Sequence, residues 1–236
     1  MKKSIQRQEI NTVNSDNTNS IFADLVASFE DNKIHNISIH DLSTKCNIQK
    51  RSVYNFFSVL IQFGACRNEG KGQIVWISLS NIKKYINQQY KQLEIDSLSK
   101  GFYELFDLGV SPSLGTIAIK IITMFMFFGV HRMTKKSMCN FFTRNINDPQ
   151  SLERRLYLTL NILCVFNIVT RTDYVGEYML LFEYADYSKK VFSKRLEAAR
   201  NIEKHFIEYH LKDYPQNYMN ILRKRRYKEF IARFGE

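Results

Sequence analysis

Two segments of this 236-residue chain carry one pattern, and a chain that repeats a pattern at this spacing is built from two copies of one unit. The first segment is QKRSVYNFFSVLIQFG, Gln49–Gly64, and the second is LERRLYLTLNILCVFN, Leu152–Asn167. Basic residues open each stretch and a Tyr follows about one turn later. Apolar residues then recur at helical spacing: Val53, Phe57 and Leu60 in the first, Leu156, Leu160 and Leu163 in the second. Behind each comes a polar turn and an apolar, strand-like run, ACRNEGKGQIVWISL and IVTRTDYVGEYMLLFEYA.

The elements around the repeats fall in the same order twice. Residues 1–19 read as a disordered polar arm. Ser20 is placed to cap a first helix, SIFADLVASFEDNK, whose Ile21, Leu25 and Phe29 share a face. IHNISIH alternates like a short strand, and Asp41 is placed to cap a short second helix. The third helix runs from Gln49 and Lys50 to a stop at Gly64, and a hairpin follows. In the second copy, SLGTIAIKIITMFMFFG from Ser113 is the first helix and Met133–Phe142 the second. A loop broken by Pro149 separates them from a third helix starting at Leu152, and a hairpin turns near Gly176. The expected architecture is α+β and mainly helical. It has two tandem winged-helix domains, residues 20–79 and 113–186, a helical linker over 80–112 and a basic helical extension over 187–236.

Composition narrows the function classes. The formal net charge is +11 and the pI about 9.4, which favours a polyanionic partner. Residues 189–236 hold thirteen Lys or Arg against six Asp or Glu, so much of that excess is C-terminal. Cys46, Cys66, Cys139 and Cys164 form no CxxC pair, so they read as reduced core thiols and no metal or other cofactor is expected. The polar first twenty residues give no signal peptide. The apolar run Ile117–Val130 is too short for a membrane span and contains Lys120, so it reads as a buried helix. No HExxH, phosphate-binding glycine loop or GxSxG is present, and the expectation is a protein without catalytic activity.

The candidate binding residues follow from what a helix needs to read duplex DNA. An Arg fork matches the O6 and N7 acceptors of guanine, which nominates Arg51, Arg154 and Arg155. Cations at a helix start oppose the helix dipole, a local cost that a bound anion offsets. Lys50, Arg67, Lys71, Lys135, Lys136 and Arg171 are candidates for backbone or wing contacts, with Gln73 and Arg144 beside them. Tyr54 and Tyr157 either pack beneath their helices or donate to phosphate. Trp76, ending the first hairpin, reads as core. Arg223, Lys224, Arg225, Arg226 and Lys228 form a basic patch that is open to three readings: a DNA contact, an import signal or a solvated face.

The two units resemble the DNA-binding domains of the E2-promoter-binding factor family and its dimerisation partners, eukaryotic cell-cycle transcription factors. RRLYLTLNIL resembles that family's Arg-Arg-x-Tyr-Asp recognition helix. KRSVYNFFSVLIQFGACRNEGKGQIVWI resembles its helix, wing and terminal Trp. Two tandem domains match the family's atypical members, which resemble a dimer folded into one polypeptide and act as repressors without a separate partner. The resemblance implies a nuclear, sequence-specific regulator of transcription that reads a GC-core site with Arg51, Arg154 and Arg155. Three departures stand out: Ser52 replaces the second Arg of the first unit, and Asn55 and Leu158 replace the Asp after the Tyr. The competing expectation is a non-catalytic scaffold subunit of a DNA-associated complex, docking a protein partner through its C-terminal helices.

Overall fold

The computed structural model describes residues 18–31, 36–144, 148–181 and 215–235. The expected polar arm, up to residue 17, and the expected basic extension from 187 to 214 lie outside the described residues. The fold is mixed α+β and mainly helical, with two small antiparallel sheets of three strands each.

The first unit begins with α1, residues 18–31, and continues with β1 (Asn36–Ser38), α2 (Ile39–Lys45) and α3 (Lys50–Gln62). The hairpin β2 (Cys66–Gly70) and β3 (Gln73–Trp76) closes it. Then come α4 (Ser80–Asp96) and the short α5 (Phe102–Leu105). The second unit comprises α6 (Leu114–Phe128), β4 (Arg132–Thr134), α7 (Lys135–Phe142) and α8 (Pro149–Val165), with the hairpin β5 (Val169–Arg171) and β6 (Glu177–Leu180). The last described helix, α9, spans Pro215–Phe234. Each sheet puts the second hairpin strand in the middle: β1-β3-β2 and β4-β6-β5.

Several boundaries differ from the sequence expectation for identifiable reasons. Helix α1 already includes residue 18, so Ser20 lies inside its first turn. The cap of α2 is Ser38, whose hydroxyl accepts from the Asp41 amide at 3.2 Å. Asp41 is a first-turn acid, favourable with the dipole, and not the cap. Met133 belongs to β4, and the following helix starts at Lys135 under a Thr134 cap. Helix α8 starts at Pro149, three residues earlier than expected, because Asp148 caps it and a proline is preorganised for the first helical position.

The apolar run of the second unit becomes α6, in which thirteen of fifteen residues are buried. A helix that is apolar all round needs neighbours on every side. Here α3, α4, α8 and α9 all pack against it. Ser113 caps its start by accepting from the Thr116 amide, and Gly129 ends it in the left-handed conformation. Lys120 is the exception on this helix. Its ammonium donates to the Leu105 carbonyl at 2.5 Å, and burial pulls its pKa below the ordinary lysine value.

Buried apolar side chains from Phe22 to Phe234 form one contiguous core, so the two units share their interior. Helix α3 meets α6 at Gly115. A Cβ there would collide with the Cβ of Gln62 and lie 2.9 Å from the Ser58 carbonyl oxygen. Gly115→Ala is therefore expected to cost about 1–3 kcal/mol, the usual penalty of overpacking. Urea unfolding monitored by circular dichroism checks it, and an unchanged midpoint would show that the two helices separate freely. Helix α4 braces the first unit: Gln62 Nε2 donates to Tyr85 Oη at 2.6 Å and Asn81 Nδ2 to the Gly64 carbonyl at 3.0 Å. Trp76 is core, packed against Phe29 and donating to Glu30 Oε1 at 3.2 Å. The four cysteines are free thiols. Cys66 and Cys139 are buried, which pushes their pKa values up to about 12 and about 11, while Cys46 and Cys164 are half-buried.

Candidate nucleic-acid interface

The register between the two copies is set at the C-terminal ends of α3 and α8. Phe63 and Phe166 stand as C-caps, and Gly64 and Asn167 follow with φ of 71° and 52°. The next amides close matching bonds, Ala65 to the Leu60 carbonyl at 3.0 Å and Ile168 to the Leu163 carbonyl at 3.1 Å. Counting back from the caps aligns the two buried faces. Val53, Phe56, Phe57, Val59 and Leu60 correspond to Leu156, Thr159, Leu160, Ile162 and Leu163, all buried. Arg51 then corresponds to Arg154, both exposed, and Tyr54 to Tyr157, 45% and 39% exposed.

The hairpins keep the same register. In the first, Ile37 pairs with Ile74 and Cys66 with Trp76; in the second, Met133 pairs with Tyr178 and Val169 with Leu180. Each turn accepts from the first residue of the unit's second helix: Ile39 donates to the Gly72 carbonyl at 3.0 Å and Lys135 to the Gly176 carbonyl at 2.7 Å. The duplication seen in the sequence is thus repeated at the level of individual hydrogen bonds.

In the first unit, Lys50 and Arg51 occupy the first two positions of α3. Gln49 gives no side-chain cap and no acid lies in the first turn, so the orphan amides and the helix dipole favour an anion. The Tyr54 hydroxyl approaches Gly72 in the hairpin turn, so the exposed start of α3 adjoins that hairpin. Lys71 is exposed in that turn. Lys50, Arg51 and Lys71 make no hydrogen bond or ion pair with a described residue. Arg67 pairs with Glu69 at 2.7 Å on an exposed strand, a pair that solvent screens.

The second unit uses its cations differently. Because α8 starts at Pro149, Arg154 and Arg155 lie in its second turn. The dipole argument made from the sequence therefore holds for α3 and not for α8. Arg154 is exposed and has no partner among the described residues. Arg155 is half-buried, and its Nη2 donates to the Pro112 carbonyl, tying α8 to the segment that precedes α6. Lys135 pairs with Glu153 at 3.2 Å and lies 5.7 Å from the Tyr157 ring centroid. Arg171 donates inward to Asn161 Oδ1 at 2.9 Å. Arg144 stacks 3.4 Å above the Tyr103 ring, and Lys136 is exposed on α7.

The basic patch of α9 divides into two faces. Lys224, Arg225 and Lys228 are exposed, with Arg225 paired to Glu229 at 3.4 Å. Arg223 is only 6% exposed, and its Nη2 donates to Tyr90 Oη at 2.6 Å. Arg226 grips Glu94 with both terminal nitrogens, at 2.8 and 3.0 Å, and stacks 3.6 Å above the Phe127 ring. These two arginines leave the patch for the interior. Burial, then the adjacent Glu94 carboxylate, holds the Tyr90 phenol protonated well above its ordinary range. In the Tyr90–Glu94–Arg223–Arg226 cluster the two arginines were sequence candidates as part of the basic patch, whereas Tyr90 and Glu94 were not. Their one trace is a carboxylate at i+4 from an apolar-face Tyr on α4.

Among the described residues no group of His, Cys, Asp or Glu is placed to hold a metal ion, and no helix is long and apolar enough to cross a membrane. Comparison with known proteins finds no matching family model, no matching curated protein and no matching solved structure.

Proposed function

We propose that this chain is a duplex-DNA-binding regulator of transcription, built as two tandem winged-helix units and acting in the nucleus. The observation that carries the reading is the doubled helix slot: an exposed Arg and an exposed Tyr at equivalent positions of α3 and α8, each helix followed by a hairpin. A helix of this kind enters the major groove with its N-terminal half, and the following hairpin meets the backbone or the minor groove. The charge of +11 supports a polyanionic partner, and the shared core supports one chain presenting both helices without a second subunit. Arg51 and Arg154 are the base-reading candidates. Arg155, the third candidate, donates to the Pro112 carbonyl, which favours Arg51 and Arg154 over it for that role.

The test is selection of the purified chain on a random duplex pool at near-physiological salt, followed by sequencing. Enrichment of a short GC-containing element, lost in Arg154→Ala, is the expected result. Weak, salt-sensitive binding with no enriched element would remove the sequence-reading role. Joined to co-purification in a stoichiometric complex, it would make the chain a non-catalytic scaffold of a DNA-associated assembly.

A further inference from the structure

In the matched register the charges of the two helix-start faces diverge slot by slot. Lys50 at the start of α3 corresponds to Glu153. Lys71, beside the turn glycine, corresponds to Val175, which is fully exposed beside Gly176. Gln73, opposite Ser38 in the sheet, corresponds to Glu177, opposite Thr134. The start of α3 has no capping side chain, whereas the Asp148 carboxylate caps α8 from 3.0 Å and occupies the place an anion would take.

Cations that the second unit has in addition are largely committed. Lys135, in the slot of Ile39, pairs with Glu153, and Arg132 lies 3.9 Å from Glu177. Arg171 is held by Asn161, and Arg155 by Pro112. Lys136 takes the slot of His40 and Arg154 that of Arg51. The first face thus carries a cluster of three uncommitted cations around an uncapped helix start. The second offers Arg154 in a setting where Glu153 and Glu177 offset Lys135 and Arg132, Asp148 and Asp173 add negative charge, and Arg155 and Arg171 are turned to internal acceptors.

We infer that the two units divide the work of DNA binding: the first anchors the phosphate backbone, and the second contributes base reading through Arg154 with little backbone charge. The preferred target is then an asymmetric duplex element, gripped tightly over one half. This deepens the DNA-binding proposal and rests on it. Backbone affinity follows counterion release, and each phosphate contact adds about 0.9 to the slope of log affinity against log salt. Between the two units, the cations of the first therefore account for the larger share of that slope.

The experiment uses the full chain and the duplex element enriched by selection. It combines fluorescence anisotropy over a salt series with hydroxyl-radical footprinting. The triple variant Lys50→Ala, Lys71→Ala, Arg51→Ala is expected to reduce the slope by about 2–3, against at most about 1 for Arg154→Ala. Glu153→Lys with Val175→Lys is expected to steepen it by about 1–2, since both sites are exposed and adjoin the groove-facing slot. Backbone protection is expected to be deep over one half of the element and shallow over the other. All substituted residues are exposed, and thermal melts confirm that the variants remain folded. Equal protection over both halves, or the same slope loss from the triple variant as from Arg154→Ala, would overturn the division of labour while leaving DNA binding intact. No duplex affinity in the unsubstituted chain even at about 50 mM salt would overturn the DNA-binding reading and this inference together.

Discussion

Arg226→Ala is expected to destabilise the chain by about 3–5 kcal/mol, among the largest effects of any single substitution. The carboxylate of Glu94 has no exposed surface, and both of its oxygens take charge-assisted bonds from the one guanidinium of Arg226. Removing the guanidinium takes two charge-assisted bonds from a buried carboxylate and opens the Phe127 ring it covers. Arg226→Lys is expected to recover only part of the loss, because an ammonium has neither the fork nor the planar face. Glu94→Leu combined with Arg226→Met is expected to recover only part of it: the pair's desolvation cost goes, but the buried Tyr90 hydroxyl, which donates to Glu94 Oε1 at 3.0 Å, loses its acceptor beside the buried Arg223. Urea unfolding checks all three through the midpoint at constant slope. A loss below about 1 kcal/mol for Arg226→Ala would mean that α9 does not hold α4 in solution.

Phe56→Ala is expected to cost about 3–5 kcal/mol by a different route, a cavity where three elements meet. The ring is fully buried. It stacks on Phe22 of α1 at a centroid distance of 4.0 Å, meets Phe57 edge-on at 5.5 Å, and lies 5.1 Å from Phe166 at the end of α8. The last contact joins the first unit to the second. A double-mutant cycle with Phe166→Ala is expected to show a coupling of about 0.5–1.5 kcal/mol, the range for aromatic pairs. Strict additivity would indicate that the two units fold with separate interiors. Two separate unfolding transitions in Phe56→Ala would indicate the same.

What could be read from the sequence depended on how local each determinant was. The periodicity of Val53, Phe57 and Leu60, the stop at Gly64 and the hairpin ending in Trp76 are local signals, and α3, β2 and β3 follow them. The run from Ile117 was read as a buried helix, and α6 is one. Pro149 misled because a proline breaks a helix from inside but favours its first position, and the Asp148 cap decides between the two. Strand β4 has three residues, too few for alternation to show against the helix that follows. The adjacent residues Arg154 and Arg155 look interchangeable in sequence. One step along a helix turns the side chain by about 100°, and that rotation carries Arg155 to Pro112. The bond between Arg226 and Glu94 spans 132 residues, and no local pattern reports a partner so distant.

An assembly of two identical subunits is bound by its own symmetry, because every substitution appears in both and a favourable change in one is imposed on the other. Fusing the two copies in one chain lifts that bond. Glu153 can form its ion pair with Lys135 in one half while the other half keeps Lys50 and Ile39 in those slots. Each copy of the slot is a separate position in the sequence, so the two halves can diverge in charge while the shared interior holds their common geometry in place. A chain of this design is released from the palindromic logic that two-fold dimers impose on whatever they bind.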